Sequence, residues 1–354
     1  MLELSGLSQK ENIEVTTSSE TVTVTYPASG SITITASAPG SYTVHVGENV
    51  YTAVIDTAGG SATVTVPTLP VGNYDVSVTA PETEQYNAVN TGKIATYTVN
   101  PGTVTVTSAD VTVTYPATGS VTITASVAGE YTVKVGDKTY SAVITEDGGS
   151  ANVAVELLDV GDYGISVTGN AGDNYNPVDT GIINYYHVIA GSITVSGQGT
   201  TVTYPDKGTI VITTDVAGAY TINVGDKTYE NVQLDAGDNS FAVADLLDAN
   251  THAVTVSANI PNYNPIANQN IATYTVNKGT ITVSSEDVTV TYPNVDSVTI
   301  TASVAGYYYV GIGGNIFEVR ISEDGGSKQD GLLRESLQVI CGDGRCVRFR
   351  RDAR

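Results

Sequence analysis

The sequence predicts an all-β chain built from tandem β-sandwiches. Three observations predict it: a unit of about 89 residues returns along the chain, short apolar–polar alternations fill each unit, and no segment keeps the 3.6-residue apolar period of a helix. The 354 residues include 36 Gly and 22 Tyr, and only 15% of them are charged. This composition is typical of strands and turns and argues against general disorder.

Three independent motifs mark the repeat. They are Thr-Tyr-Pro, Gly-x-Tyr and Tyr-Asn, and all three keep one period. Thr-Tyr-Pro begins at Thr25, Thr114, Thr203 and Thr291, Gly-x-Tyr ends at Tyr42, Tyr131, Tyr220 and Tyr308, and Tyr-Asn begins at Tyr86, Tyr175 and Tyr263. A unit of this length can hold its own core, unlike the short repeats that must stack to be stable.

The second unit illustrates the predicted strands. Turn clusters such as 116–119 and 147–150 separate its short alternating runs. The runs are 103–108, 111–115, 120–127, 131–136, 139–144, 151–157, 163–168 and 182–189. Several short strands at this spacing indicate a sandwich of antiparallel sheets.

The alternation also assigns the two faces of a strand. Tyr131, Val133 and Val135 share one face and are predicted to be buried. The opposite face holds Lys134, and the equivalent position is His45 in the first unit and Asn223 in the third, which is typical of a solvent position.

A Leu-x-x-Gly-x-Tyr motif precedes one strand of the first two units and ends at Tyr74 and Tyr163. A tyrosine at a strand entrance can donate its hydroxyl to the preceding turn, as in the tyrosine corner of immunoglobulin-like sandwiches. His252 occupies this position in the third unit, so we predict a weaker corner there.

With these motifs, the chain resembles bacterial immunoglobulin-like repeats, most of all those of large adhesin-like surface proteins of methanogenic archaea and gut or rumen bacteria. The resemblance covers about residues 13–327. It implies tandem immunoglobulin-like β-sandwiches with an extracellular or cell-wall setting and a stalk or adhesive role. It brings no catalytic residues with it.

The repeats set the predicted domain boundaries, with linkers of two or three residues between units. A lead segment, three complete repeats, one partial repeat and a divergent basic tail are predicted at 1–12, 13–101, 102–190, 191–278, 279–327 and 328–354. Such short linkers leave little slack and favour a stiff or semi-stiff rod.

The tail differs abruptly from the rest of the chain. After Ser327 the expected alternating strand is replaced, and all seven arginines lie from Arg320 onward. A frameshift or assembly error in a longer repeat protein is one interpretation, and a genuine basic segment that binds an acidic partner is the other. The N-terminus lacks the basic start and apolar stretch of an export signal, so we expect the chain to be a fragment.

Charge and composition narrow the function classes. A formal net charge of -22 argues against a nucleic-acid partner, which needs clustered Lys and Arg. No apolar run approaches the ~18 residues that a membrane-spanning helix needs. We therefore expect neither nucleic-acid binding nor a membrane span in this chain.

No residues point to catalysis or to a resident cofactor. His45, His187 and His252 are scattered, and Cys341 and Cys346 have a spacing that is poor for zinc. Lys93 is not repeated, which argues against an isopeptide cross-link. Calcium remains the alternative to no metal, since hard oxygen ligands favour it; its candidate ligands are Asp173, Asn174, Asp179, Asp235 and Asp238.

The recurring Tyr-Asn loops are the candidate contact sites: Tyr86, Asn87, Tyr175, Asn176, Tyr263 and Asn264. Exposed rings can stack on sugars or on partner side chains, and the alternative is a plug over the end of each sandwich. Three functions remain: a non-enzymatic surface stalk or adhesin segment, a module that binds carbohydrate or protein, and the accessory part of an extracellular hydrolase. The expected partners are cell-wall glycan or a surface protein of a host or another cell.

Overall fold

Every element of the fold is a β-strand, as the alternating sequence predicts. The protein is described by a computed structural model, which describes residues 9–288, 297–312 and 314–330. Within those ranges no helix is long and apolar enough to cross a membrane. The tail after residue 330 lies outside the described residues, and so do both cysteines and six of the seven arginines.

The first three repeats contain eight strands each. In the first repeat they are β1 (Val15–Thr17), β2 (Thr21–Thr25), β3 (Gly30–Ala36), β4 (Gly40–Val46), β5 (Asn49–Ile55), β6 (Ser61–Val66), β7 (Gly72–Ala80) and β8 (Val89–Asn100). In the second repeat they are β9 (Val106–Ser108), β10 (Val111–Thr114), β11 (Ser120–Ala125), β12 (Gly129–Val135), β13 (Lys138–Ile144), β14 (Ser150–Ala154), β15 (Gly161–Asn170) and β16 (Val178–Ile189).

The third repeat keeps the same order, and the fourth has five strands in the described ranges. The third contains β17 (Val195–Gln198), β18 (Thr200–Thr203), β19 (Thr209–Thr214), β20 (Gly218–Val224), β21 (Lys227–Leu234), β22 (Gly237–Ala242), β23 (Thr251–Ala258) and β24 (Ile266–Asn277). The fourth contains β25 (Val283–Ser285), β26 (Val298–Ala302), β27 (Gly306–Ile312), β28 (Asn315–Ile321) and β29 (Ser327–Asp330).

Each complete repeat pairs a three-stranded sheet with a five-stranded sheet. In the first repeat the orders are β1-β3-β6 and β2-β8-β7-β4-β5, and only β2 and β8 run parallel. If the eight strands are lettered A, A′, B, C, C′, E, F and G, the sheets are A-B-E and A′-G-F-C-C′. This arrangement is an immunoglobulin-like sandwich in which C′ leads directly to E. The predicted fold class is confirmed: the chain is an all-β array of such repeats, and its fourth member has five strands in the described ranges.

The core of each sandwich lies between its two sheets. In the first repeat Ile32 and Ile34 of strand B pack with Val44, Val76 and Tyr97 of the facing sheet, and all five are at most 1% exposed. In the second repeat the predicted inward residues of strand C are buried as well: Tyr131, Val133 and Val135. The assignment of faces from the alternation is therefore confirmed for this strand.

Tyrosine hydroxyls hold the turns that lead into strand F. Tyr74 donates to the Pro70 carbonyl at 2.7 Å, and Tyr163 donates to the Asp159 carbonyl at 2.8 Å, which confirms the predicted tyrosine corner. In the third repeat His252 Nε2 lies 2.9 Å from the Asp248 carbonyl, so the imidazole makes the equivalent bond. That this corner is weaker remains a prediction.

A second set of tyrosines, which end the Gly-x-Tyr motifs, holds the turn before strand C. Each donates its hydroxyl to the carbonyl four residues earlier, and the acceptors are Ala38 for Tyr42, Val127 for Tyr131, Val216 for Tyr220 and Val304 for Tyr308. Tyr42, Tyr131 and Tyr220 are at most 2% exposed, so these side chains fill the core and also satisfy a turn carbonyl.

The fourth repeat differs from the sequence expectation at its strand E. Residues 328–330 were expected to break the alternating strand, but β29 continues to Asp330 and pairs with β26. The expectation was wrong here because ladder hydrogen bonds come from the backbone and tolerate polar side chains. Thr301 and Ser327 also hydrogen-bond across the two strands at 2.7 Å.

The chain divides into two compact units. The first unit comprises Met1–Ser192 and Pro261–Asn264, and the second comprises Ile193–Ile260 and Pro265–Arg354. The first unit therefore contains the first two repeats together with the F–G loop of the third. The second unit contains the rest of the third repeat and the fourth.

Candidate functional site: the loops between strands F and G

The Tyr-Asn motifs lie in the loops that join strand F to strand G. The loop of the second repeat, Asn174–Asn176, forms a short parallel β-bridge with the linker glycine Gly102. The Gly102 N–H donates to the Asn174 carbonyl at 2.9 Å, and the Asn176 N–H donates to the Gly102 carbonyl at 2.9 Å. Both polar groups of the linker residue are therefore satisfied by this loop.

The side chain of Asn174 extends the contact to the preceding repeat. Its Oδ1 accepts a hydrogen bond from the Val71 N–H at 2.9 Å. Val71 follows Pro70, whose carbonyl accepts the hydroxyl of the corner residue Tyr74. The tyrosine corner of the first repeat thus holds the turn that presents the Val71 N–H to the second repeat.

An aromatic pair completes the contact between the first two repeats. The rings of Tyr26 and Tyr175 meet edge to face, with centroids 5.2 Å apart and an interplanar angle of 90°. This is a favourable geometry for aromatic pairs. Burial raises the pKa of Tyr175 above its ordinary value, and the neighbouring Tyr26 and Asp147 raise it further. The ring environment therefore favours the neutral phenol.

Gly102 allows this close approach. A Cβ at this position would lie 2.5 Å from the Tyr26 carbonyl oxygen and 2.9 Å from two ring carbons of Tyr175. Real Cβ atoms do not approach other atoms so closely, so a side chain here would displace the linker or the ring. We call this set of contacts the joint: Tyr26, Val71, Gly102, Asn174, Tyr175 and Asn176.

The loop Asn262–Asn264 makes the same contacts with the second repeat, and all of these residues belong to the first compact unit. Its backbone bonds to Gly191 on both sides at 3.0 and 2.8 Å, and Asn262 Oδ1 accepts from the Val160 N–H at 2.8 Å. The rings of Tyr263 and Tyr115 meet edge to face at 5.3 Å. In addition, Asn262 Nδ2 donates to the Asp159 carboxylate at 2.8 Å.

The corresponding loop of the first repeat, 85–87, binds the lead segment of the chain instead. The Glu11 N–H donates to the Gln85 carbonyl, and the Asn87 N–H donates to the Glu11 carbonyl, both at 2.9 Å. Asn87 Nδ2 also donates to Asn12 Oδ1 at 2.9 Å. Among the described residues, Tyr86 has no ring partner.

All six predicted contact residues therefore lie in loops that bind other parts of this chain. Binding of these loops to an external partner remains a prediction. Sequence analysis missed the residues that complete the joint, namely Asn174 with Asn262, Gly102 with Gly191, and Tyr26 with Tyr115. Two signals were present: Asn precedes the Tyr-Asn pair in the second and third repeats, and glycine recurs in the linkers.

The remaining candidate residues lie apart from the joint. His45 Nε2 contacts the Thr79 hydroxyl at 2.9 Å, and His187 pairs with the Asp162 carboxylate at 2.6 Å. Lys93 forms a 2.5 Å ion pair with Asp75 in which both side chains are more than half exposed, whereas an isopeptide lysine needs burial.

No described part of the chain brings together three or more His, Cys, Asp or Glu residues that could hold a metal ion. Three of the calcium candidates instead accept hydrogen bonds from protein groups. Asn174 Oδ1 is bonded to Val71, Asp179 accepts from the Gly181 N–H at 3.3 Å, and Asp238 accepts from the Thr213 hydroxyl at 2.6 Å.

Comparison with known proteins identifies no family. No protein-family model matches the sequence, and no curated protein matches it significantly. Solved structures that are similar include the I9–I11 tandem from titin, at 11% identity over 75% of this chain and 100% of that one, with a TM-score of 0.26. A fragment of the ICAM-5 D1–D4 ectodomain is 11% identical over 95% of this chain and 96% of that one, with a TM-score of 0.29.

Another similar structure is the Bacteroides ovatus protein SGBP-B in complex with a mixed-linkage heptasaccharide, at 15% identity over 87% of this chain and 86% of that one, with a TM-score of 0.18. The class of this protein rests on its own sheet order and repeat rather than on these distant likenesses. It is a tandem immunoglobulin-like repeat protein.

Proposed function

We propose that this chain is a non-enzymatic segment of an extracellular or cell-surface protein and acts there as a stalk or adhesin segment. The observation that carries the proposal is the joint between the first two repeats. Three hydrogen bonds from one loop reach the linker and the preceding repeat, and an edge-to-face tyrosine pair packs beside them. A flexible linker alone is enough to connect two repeats, whereas these contacts also fix the first two repeats relative to each other, as a stalk requires.

The chemistry of the joint supports a mechanical role. Its bonds use neutral backbone and amide groups, whose strength depends little on ionic strength, in contrast to exposed ion pairs. Gly102 is buried, and the bond between Asn174 and the Val71 N–H is partly buried. The joint stays closed when a single interaction breaks, because the others remain in place. Opening therefore requires all of them to break together, and we expect it to be cooperative and rare.

The distance between the first two repeats tests the proposal. Spin labels at Thr52→Cys and Thr139→Cys, both on exposed strand positions, report this distance once Cys341→Ser and Cys346→Ser are introduced. We expect a narrow distance distribution, and a distinctly broader one in the double variant Asn174→Ala/Tyr175→Ala, which keeps both repeats but removes the joint.

The matched control is Gln85→Ala/Tyr86→Ala, which changes the equivalent loop where it binds the lead segment. This control is expected to leave the distribution narrow. A distribution in the unaltered joint as broad as in the Asn174→Ala/Tyr175→Ala variant would contradict the stalk, because the two repeats would then move independently.

A second function, an accessory module that binds carbohydrate or protein for an extracellular enzyme, is supported by a different observation. Tyr307 and Tyr309 lie on the outward face of β27, and each is 62% exposed. The Arg320 guanidinium lies 5.8 Å from the Tyr307 ring centroid. Neighbouring exposed rings on one strand can stack on sugars or on a surface protein of another cell.

Binding to a panel of cell-wall glycans and cell-surface proteins separates the two functions. A binding module should lose affinity in Tyr307→Ala/Tyr309→Ala and keep it in Tyr185→Ala, which removes another exposed tyrosine. Binding that both variants leave unchanged would exclude β27 as the contact surface, and the absence of binding across the whole panel would favour the plain stalk.

A further inference from the structure

The second compact unit contains the equivalents of the residues that accept an F–G loop in the joint, but no described F–G loop binds them. At the far end of the third repeat, Tyr204, Ala249 and Gly279 stand at the positions that Tyr26, Val71 and Gly102 hold in the first joint. A Cβ added at Gly279 would collide with the Tyr204 carbonyl oxygen, just as one added at Gly102 would collide with the Tyr26 carbonyl oxygen. The backbone for a joint is therefore formed.

The groups that would bind an F–G loop have no partner among the described residues. In the occupied joints the Val71 and Val160 N–H groups donate to asparagine side chains, whereas no described atom accepts from the Ala249 N–H. The Gly279 N–H and carbonyl likewise make no hydrogen bond in the described ranges. Tyr204 is 40% exposed.

A second unpaired feature lies in the same unit. In the second repeat strand C pairs with both C′ and F, and β20 does the same in the third. In the fourth repeat β27 pairs only with β28 among the described residues, and no described strand bonds to the N–H and carbonyl groups of its other edge. Such an edge can accept an added strand.

The inward face of β27 shows the consequence. Tyr308 and Val310 are half-buried, whereas their counterparts Tyr131 and Val133 are at most 2% exposed. Among the described residues of this repeat, the buried core is split into two small clusters of three residues each. Strand F is the element that covers these positions in the complete repeats.

One segment would satisfy both features, because in the second repeat strand F pairs with strand C and runs directly into the loop of the joint. We propose that the second unit carries an acceptor site for an F–G β-hairpin of another immunoglobulin-like repeat protein. Strand F of the hairpin adds to β27, and an Asn-Tyr-Asn turn binds Ala249, Gly279 and Tyr204.

The sequence and contacts of the occupied loops define the chemistry of this partner. The occupied loops both read Asn-Tyr-Asn, followed by Pro, at 174–177 and 262–265. The first Asn supplies a side-chain acceptor, the Tyr an edge-to-face ring, and the second Asn a backbone donor. The partner strand must alternate apolar residues toward the core, as Ile165 and Val167 do in β15.

The test adds a hairpin to the full-length chain. The probe is a fluorescent peptide with the sequence of residues 158–190, and the control peptide carries Asn174→Ala and Tyr175→Ala. We expect saturable binding by fluorescence anisotropy that is roughly tenfold weaker for the control peptide, because it lacks one hydrogen bond and one ring contact. Hydrogen exchange should slow at Ala249 and Gly279 and along β27.

Two results would overturn the proposal. One is the absence of saturable binding up to millimolar peptide. The other is slow exchange along β27 and at Ala249 in the chain without peptide, since that would mean that the chain's own residues 331–354 already occupy the site. Tyr204→Ala in the full chain must weaken binding while Tyr26→Ala leaves it unchanged, which excludes non-specific strand addition.

Discussion

The F–G loops of the first and second repeats bind the chain in the same way but bind different residues. Loop 174–176 bonds to Gly102, and loop 85–87 bonds to Glu11, each through one bond on either side of the residue. The backbone bridge is therefore independent of the side chain. What differs is the surroundings, because only Gly102 lies against the carbonyl of a preceding repeat.

This difference shows what the glycine is for. Glu11 carries a Cβ and still completes the bridge, so the bridge alone does not require glycine. The requirement comes from the Tyr26 carbonyl and the Tyr175 ring, which leave no room for a Cβ at Gly102. Glycine at this position thus indicates a close contact between two repeats. A larger residue, such as Glu11, indicates that the loop binds a segment that is not packed against a preceding repeat.

Gly102→Ala should give the largest effect. The added Cβ overpacks the joint, and we expect its opening free energy to fall by about 1–3 kcal/mol. Hydrogen exchange at the Gly102 and Asn176 amides measures this directly. Glu11→Ala is the matched control and should change exchange at Asn87 by less than about 0.5 kcal/mol. Equal effects of the two substitutions would contradict the steric argument.

Asn174→Ala should come next. It leaves the half-buried Val71 N–H without an acceptor, at a cost of about 1–2 kcal/mol in joint stability. The Val71 amide should then exchange faster, while the amides in the core of the first repeat stay unchanged. Gln85→Ala is the control, since Gln85 contributes only its backbone to the equivalent bridge. If Val71 remained protected in Asn174→Ala, the side-chain bond would contribute nothing to the joint.

Much of this architecture follows from the sequence, and the comparison of the two loops shows where the sequence stops. The period, the strands and the buried face of strand C are local patterns, so they could be predicted. The tyrosine corner could be predicted as well, because donor and acceptor lie four residues apart. Contacts such as Asn174 with Val71 join residues about a hundred positions apart and leave no local pattern.

The same limit applies to the Tyr-Asn loops. Their recurrence indicated a contact, but three roles are equally consistent with it: an exposed ring that binds a partner, a plug over the end of the sandwich, and a contact between repeats. The decisive residues were Gly102 and Tyr26, which belong to the linker and to the preceding repeat. Their role depends on the packing of two sandwiches, which repeat motifs alone do not describe. The continuation of β29 past Ser327 was missed for a related reason, since backbone pairing is not visible in side-chain alternation.

Tyr74→Phe should weaken the joint indirectly. Its hydroxyl holds the Pro70 carbonyl, and Pro70 precedes the residue that Asn174 binds. We expect a loss of about 0.5–1.5 kcal/mol, seen as faster exchange at the Val71 amide. Tyr140→Phe is the control, because the buried Tyr140 hydroxyl has no hydrogen-bond partner among the residues that the structure describes, and its removal should not destabilise the second repeat. If Tyr140→Phe lowered stability by more than Tyr74→Phe does, the hydroxyl of Tyr74 would not be the more important of the two, which would contradict the prediction.

The titration of Tyr175 should have the smallest effect on the stability of the joint. It also distinguishes the closed joint from the open joint most directly, because the pKa of Tyr175 should differ between them. Its pKa is raised above the ordinary 10.0 by burial first and then by Tyr26 and Asp147. When a group has a higher pKa in the closed joint than in the open joint, its contribution to the stability of the closed joint is fully present below the open-joint pKa. This contribution is lost as the pH rises through the closed-joint pKa. The joint should therefore weaken only above about pH 10.

The Cζ chemical shift of labelled tyrosine measures this titration. In Gly102→Ala, where the ring is no longer held against the preceding repeat, Tyr175 should titrate closer to 10.0 than in the unaltered chain. Glu11→Ala should leave the Tyr175 titration where it was, because Glu11 contacts a different loop. An identical Tyr175 midpoint in Gly102→Ala and in the unaltered chain would mean that the raised pKa arises within the second repeat, and the ring pair would then not report whether the joint is closed.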